Sequence, residues 1–353
     1  MSSKRTPSQV PLPVLAIPAV VLMVLSIPWA ITLGAADIAV SDVIEVIRSA
    51  VTGRPARGVP SGTVNIVWEL RLPRVILAAT VGAGLAVVGA LMQALVRNPL
   101  ADPYLLGVSS GASVGAAAVI LFDAFGARTL LGTHATSVAG FAGATTAMII
   151  VYLLARSSGG LSSHRLVLGG VAAGYVFSAV TSLLIFLGTP NAAGSVLFWI
   201  LGGLGRASWD TLALPVALCV GAVGYALLRS PWLNALAMGD ELATSVGVPV
   251  ERFRRELFAV CALLTGVLVA LSGAIGFVGL ILPHVARLLV GADHRRLLTV
   301  AAPLGASFVI WCDVAARTVV APQVLPVGLI TALVGGPLFV MLLLRRSTGT
   351  GGL

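Results

Sequence analysis

The first candidates for chemistry are the ionisable residues that lie inside long apolar segments. Away from the segment ends these are His284, Arg287, Asp313 and Arg317. A charge at the bilayer centre costs about 2.5–3.5 kcal/mol at least, so such residues are usually retained for a function. Asp313 precedes Arg317 by four residues, a spacing that permits an ion pair on one helical face. Support for a proton relay is therefore weak, and a hydrogen-bonded structural role explains His284 better.

Chemistry on nucleotides or metals is not expected from this chain. Lys4 is the only lysine and precedes the first apolar segment, so the loop G-x-x-x-x-G-K-[ST] cannot be present. Cys219, Cys261 and Cys312 lie in apolar stretches without metal-ligand spacing, and we interpret them as packing residues. The sequence predicts no catalytic residue, no metal site and no cofactor, and any ATP hydrolysis must belong to another chain.

The composition indicates a membrane protein. The chain has 353 residues, of which 58% are hydrophobic and 10% charged, whereas about a quarter of the residues in soluble domains are charged. The net charge of +9 comes from basic residues scattered between apolar segments. This pattern carries topological information and gives no reason to expect nucleic acid as a partner.

Ten apolar segments are long enough to act as transmembrane helices. They lie near residues 10–33, 74–95, 101–122, 136–155, 165–187, 210–228, 256–274, 276–290, 297–318 and 325–344. With the N-terminus inside, fourteen basic residues fall on the inner side and eight on the outer side, which favours cytoplasmic termini. The first segment exceeds the 7–15 residues of a cleaved signal core, so it is predicted to be a retained helix. The predicted fold is an all-α polytopic bundle of about ten transmembrane helices, forming one domain over residues 1–353.

Two segments outside the predicted membrane spans carry helical signals. The outer segment 35–70 contains an amphipathic stretch that begins at Ser41, which is predicted to be its N-cap. In the inner segment 229–255, Asp240 is the predicted N-cap of a short helix that ends at Gly247, and a second helix follows Pro249. The inner segment is therefore either a projecting helix–turn–helix or an ordinary solvated hairpin.

Small residues recur at intervals of four in three of the predicted transmembrane helices. This spacing lets helix backbones approach closely in lipid, and it predicts that helices 74–95 and 101–122 pack against each other. In helix 165–187 the stripe becomes polar, so it faces either a neighbouring helix or a water-accessible passage; spacing alone favours packing. The members of this stripe are Gly170, Gly174, Ser178 and Ser182.

Several longer motifs, in a fixed order, resemble one family of transporters. They are RLPR at 71–74, GALMQA at 89–94, RNPLADP at 97–103, LLGVSSGA at 105–112, GAIGFVGLILPHVAR at 273–287, DHRR at 293–296, LPVG at 325–328 and GP at 336–337. Together they resemble the FecCD-type permeases, the membrane subunits of ABC importers for ferric siderophores, haem and cobalamin. The resemblance covers nearly the whole chain.

The resemblance implies ten helices per subunit and a central passage between two permease subunits, identical or paralogous. It also implies a cytoplasmic ABC ATPase dimer, an extracytoplasmic substrate-binding protein and a bacterial cytoplasmic (inner) membrane. The function expected is import of an iron–siderophore complex, with haem and cobalamin as open alternatives. Two other functions stay open: a secondary transporter driven by an ion gradient, for which His284 and Asp313 are the candidates, and a membrane scaffold without transport.

The same resemblance implies roles for particular residues. In relatives, the helix pair between the sixth and seventh spans docks on the ATPase, outer arginines receive the binding protein, the fifth helix lines the passage, and two inner loops form the cytoplasmic gate. The matching positions are Asp240, Glu241, Ala243, Ser245 and Gly247 for ATPase coupling; Arg71, Arg74 and Arg317 for docking; Gly170, Gly174 and Ser178 for the passage; and Asn98, Leu100, Ser163 and His164 for the gate. His164 replaces the small hydroxyl residue expected there.

Overall fold

A computed structural model of the chain describes residues 11–34, 36–157 and 160–347. Its helices are α1 (Leu12–Thr32), α2 (Val40–Thr52), α3 (Ser61–Asn65), α4 (Leu72–Val96), α5 (Val108–Phe122), α6 (Ala127–Leu131), α7 (Ala135–Ala155), α8 (Ser163–Leu187), α9 (Pro190–Ile200), α10 (Trp209–Leu228), α11 (Ser230–Met238), α12 (Asp240–Ser245), α13 (Val250–Ser272), α14 (Val278–Val290), α15 (His294–Thr318) and α16 (Val327–Ser347). Shorter turns are a π-helical turn at Ile66–Arg71 and 3₁₀ turns at Pro103–Leu106, Ala124–Gly126 and Gly132–His134. Two short antiparallel strands, β1 (Arg156–Ser157) and β2 (Gly160–Leu161), pair Arg156 with Leu161.

The described residues form an all-α polytopic membrane protein, as the composition predicts. Seven helical stretches are long and apolar enough to cross a membrane, and α5, α14 and Val327–Leu342 of α16 are shorter apolar helices. Together they match the ten predicted segments. The most buried stretch is Ser61–Val96, with 83% of its apolar window inside the protein, and the least buried is α8, with 17%.

The outer segment predicted at 35–70 is shorter in the structure. The α2 helix is amphipathic, with Val43 and Val46 buried on one face, but Ser61–Val96 is continuously helical and joins α3 to α4. Ser41 is not the N-cap, because α2 begins at Val40 after Ala39, and no side chain caps it.

Backbone contacts between small residues join the central helices. A Cβ atom on Gly82 of α4 would overlap the carbonyl oxygen of Gly305 in α15, and one on Gly89 would overlap that of Gly279 in α14. Lipid supplies no hydrophobic force between helices, so their association depends on close packing, and small residues allow the backbones to approach this closely. The prediction that helices 74–95 and 101–122 pack on each other through their small residues is wrong, since the stripe of α5 faces α7 instead: Gly111 lies against Gly143.

Candidate coupling and translocation sites

The inner segment contains two short helices and a glycine turn. After α12, the N–H of Gly247 donates to Thr244 O at 2.9 Å and the N–H of Val248 donates to Ala243 O at 2.9 Å. Gly247 has φ +82°, and these two bonds form a Schellman motif that satisfies the last carbonyls of the helix. The turn directs the chain into α13, which begins at Val250.

Asp240 joins three parts of the inner face and does not cap α12, whose N-cap is Gly239. Arg254 of α13 donates from Nη2 to Asp240 Oδ1 at 3.0 Å, and Nη1 of Arg97, at the end of α4, lies 3.4 Å from the same oxygen. Arg254 is 5% exposed and also donates to Leu161 O at 3.4 Å. The carboxylate therefore links α12, the predicted coupling helix, to α4 and α13.

A cavity of about 770 Å³ opens beside this ion-pair network. Its wall contains three predicted gate residues, Asn98, Ser163 and His164, together with Asp240. Ser163 donates to Leu95 O at 3.0 Å, which fixes the start of α8 against α4. Leu100 does not line the cavity, although its N–H donates to Asn98 Oδ1 at 2.9 Å. Three of the four predicted gate residues therefore line the same cavity as the ion-pair network of Asp240.

The residues that α12 exposes to solvent differ from those predicted to contact an ATPase. Ala243 is fully buried, so the expectation that it contacts an ATPase is wrong, because α12 packs on the bundle through this residue. Glu241 and Ser245 are exposed. Leu242 and Val246, which the sequence reasoning missed, are 52% and 69% exposed; the signal was their i, i+4 spacing on a polar inner segment.

The three arginines predicted for docking lie together at the opposite end of the bundle. Asp313 is fully buried, 2.8 Å from Nη2 of Arg74 and 3.0 Å from Nε of Arg317. Arg317 also donates to Leu33 O at 2.9 Å and to Ala30 O at 3.1 Å. These bonds satisfy carbonyl groups at the C-terminal end of α1, where cations are favourable.

Arg71 completes this arginine cluster. It donates to the carbonyl oxygens of Ile31, Thr32 and Ala36 at 2.6, 3.0 and 2.6 Å. Arg71 and Arg317 are 8% and 9% exposed. In this structure the end of α1 and the buried carboxylate engage Arg71 and Arg317 internally, whereas Arg74 keeps 15% of its side chain exposed; docking by these arginines stays a prediction.

The predicted passage residues on α8 fall into different environments. Gly170 is buried, and a Cβ atom there would overlap Leu105 O, so it serves packing and its assignment to the passage wall is wrong. Gly174 has only Ser110 Oγ near its Cβ position, at 3.8 Å. Ser178 is exposed. An open face of α8 therefore begins near Gly174 and includes Ser178.

Comparisons with known proteins agree on one family. The model of the FecCD transport family matches residues 21–345. The chain is 41% identical over 287 residues to the hemin transport system permease protein HmuU of Yersinia pestis, covering 81% of this chain and 85% of the relative. It is 43% identical over 291 residues to the cobalamin import system permease protein BtuC of Halobacterium salinarum, covering 82% and 76%. A solved inward-facing ABC transporter of the metal-chelate type superposes with a TM-score of 0.81 at 28% identity, covering 94% of this chain and 99% of that one.

Proposed function

We propose that this chain forms half of the passage of an ATP-driven importer for a large metal chelate. The premise is that the chain belongs to the FecCD transport family. The chain is a multi-pass ABC importer permease. Its proposed partners are a second permease subunit, a cytoplasmic ATPase dimer and an extracytoplasmic binding protein, in a bacterial cytoplasmic membrane. The proposed cargo is an iron–siderophore complex, haem or cobalamin.

The inner cavity is the observation that supports this function best. Gate candidates Asn98, Ser163 and His164 share its wall with Asp240 of the coupling helix. When a partner ATPase displaces α12, Asp240 moves relative to Arg97 and Arg254, and the cavity wall must change with it. Such a rigid lever transmits motion because packed elements shift between discrete arrangements and do not deform continuously.

The buried carboxylate argues against an ion-gradient carrier. Asp313 pairs with both Arg74 and Arg317, so both of its carboxylate oxygens are engaged by guanidinium groups of the protein itself. A proton-coupled site would need a group that gains and loses its proton during transport. His284, the other candidate, also makes interactions within the described structure.

Proteoliposomes distinguish the two functions. Permease subunits are reconstituted with and without the ATPase, and uptake of ferric siderophore, haem and cobalamin is measured with the binding protein outside. We expect uptake that requires ATP and the ATPase and that is insensitive to a protonophore. Uptake by the permease alone, driven by a proton gradient, would replace this function with secondary transport.

Replacing Gly247 by valine is expected to impair coupling more than folding. A residue with a Cβ atom in left-handed conformation costs about 1–2 kcal/mol, and nothing lies within 4 Å of the Cβ position at Gly247, so the strain is local to the turn. Uptake per ATP hydrolysed should fall several-fold. Gly53, which ends α2 with φ +67° and is equally uncrowded, gives the matched control Gly53→Val; equal losses in both variants would remove Gly247 from the coupling mechanism.

Replacing Leu242 by glutamate is expected to weaken ATPase binding by about tenfold or more, as for a central apolar contact of an interface. Leu242 is exposed on α12, so the change should not disturb the bundle. The measurement is the affinity of the purified permease for its ATPase subunit. Leu130, 78% exposed on α6 at the other end of the protein, supplies the control Leu130→Glu. Unchanged affinity in Leu242→Glu would place the ATPase contact elsewhere.

A further inference from the structure

A second cavity, of about 610 Å³, lies on the predicted outer side. The ends of α5 and α6, the α9 helix and the loop before α10 enclose it. Its described lining includes Arg128 and Arg206 but no acidic residue. Phe198 and Ile120 form an apolar part of the wall. The cavity therefore presents positive charge beside an apolar surface.

Trp199 in this wall has an unused hydrogen-bond donor. The residue is 4% exposed, and its buried Nε1–H has no acceptor among the described residues. A buried donor without a partner is costly, and native structures usually supply one from a ligand, a water molecule or the protein. Trp199 packs against Gly140 of α7, so the ring is held in place while its donor remains unused.

The N-terminus of α9 adds further donors. The helix is eleven residues long and begins at Pro190, and Thr189 makes no side-chain cap. Asn191 and Ala192, in its first turn, line the cavity. An uncapped helix N-terminus carries partial positive charge and free backbone N–H groups, which together favour an anion.

The two arginines lack carboxylate partners in the described structure. Arg128 donates from Nη2 to Ile120 O at 2.8 Å, which holds its guanidinium at the rim. Arg206 forms no hydrogen bond or ion pair with any described residue. Its side chain is solvent-exposed, but the protein atoms around it lower its pKa by desolvation. Arginine remains charged at neutral pH, so Arg206 is a free cation that an anionic oxygen would stabilise.

We propose that this outer cavity binds the carboxylate groups of an anionic, partly apolar metal chelate as the chelate enters the passage. The assignment rests on the proposed import function and narrows its cargo: a carboxylate-bearing tetrapyrrole such as haem fits the site better than a neutral hydroxamate siderophore. The carboxylates bind Arg206, Arg128 and the first turn of α9, and the ring lies against Phe198. A lipid phosphate offers the same anionic oxygens and is the competing source.

Binding of two probes tests the site directly. The permease–ATPase complex in phosphatidylcholine nanodiscs is titrated with iron(III) protoporphyrin IX and with its dimethyl ester, and binding to empty nanodiscs is subtracted. We expect the free acid to bind about tenfold more tightly, as for charge-assisted hydrogen bonds, and the variant Arg128→Gln/Arg206→Gln to lose this preference. Arg206→Lys should retain most of it. Arg54, an exposed outer arginine outside the cavity, gives the control Arg54→Gln, which should bind like the wild type.

Several results would overturn the assignment. They are equal binding of the two probes, a preference that survives the double substitution, and an equal loss in Arg54→Gln. A second set of nanodiscs contains added phosphatidylglycerol. If the wild type retains this lipid but the double variant does not, and neither probe is preferred, the site holds lipid. The import function fails separately, when ATP-dependent uptake of every chelate is absent whatever the nanodiscs show.

Discussion

Replacing Asp313 by alanine is expected to lower the free energy of unfolding by about 3–5 kcal/mol, the usual cost of removing one partner from a buried ion pair. Asp313 is fully buried and contacts both Arg74 and Arg317. Loss of the carboxylate leaves the cations Arg74 and Arg317 facing each other. Arg71 adds to this repulsion, because its positive charge already acts against that of Arg317. Thermal unfolding of the detergent-solubilised permease measures the effect.

A matched control separates this burial effect from a general loss of charge. Asp210 is exposed in the first turn of α10, so Asp210→Ala should cost well under half as much. The double variant Arg74→Met/Asp313→Ala should be more stable than the sum of its single changes predicts, because it removes one of the orphaned cations. If Asp313→Ala melted like Asp210→Ala, the cluster would have no structural role.

The second large effect is expected at Asp240, whose replacement by alanine should reduce uptake per ATP hydrolysed by about tenfold. Its hydrogen bond to the buried Arg254 belongs to a class worth about 1.5–3 kcal/mol, and we take the lower end because the Asp240 side chain is 40% exposed. ATP hydrolysis itself should continue, since Asp240→Ala leaves the proposed ATPase contact at Leu242 unchanged. Paired measurements of ATPase rate and chelate uptake in proteoliposomes give the ratio.

Glu241 provides the control for this prediction. It is the neighbouring acid on the same helix and makes no recorded ion pair in the described part of the chain, so Glu241→Ala removes the same charge without breaking the link to Arg97 and Arg254. We expect it to lose less coupling than Asp240→Ala, because it removes only the predicted surface contact of Glu241 and keeps the ion-pair network. Coupling that is lost equally in both variants would indicate that the helix acts through its net charge, and coupling preserved in Asp240→Ala would exclude the network as a transmitter.

The transmembrane helices were predictable from the sequence because lipid demands long apolar segments, and their order follows from the chain itself. The α9 helix was not predicted. Pro190 breaks the apolar run after α8, and eleven residues are too short to give a spanning signal. The start of α5 was also misplaced, because the 3₁₀ turn at Pro103–Leu106 is as apolar as the helix that follows it.

The sites were predicted less completely, because several of their contacts join residues that are far apart in the sequence. Arg74 and Asp313 are 239 residues apart in sequence, so their pairing has no local signature. The i, i+4 relation of Asp313 and Arg317 was visible, and the structure contains that pair. Exposure was misjudged at Ala243 and Gly170 because a pattern of small residues does not say which neighbour each one meets.

The glycine contacts of the central helices limit how this protein can move. At Gly82 and Gly305, and at Gly89 and Gly279, there is less room than a methyl group requires, so α4, α14 and α15 are packed backbone against backbone. We expect these three helices to move together as one frame during each turnover. We expect the displacement that opens one side and shuts the other to be concentrated outside these three helices. Mutations that slow the cycle should then cluster outside them, even where they contact no cargo.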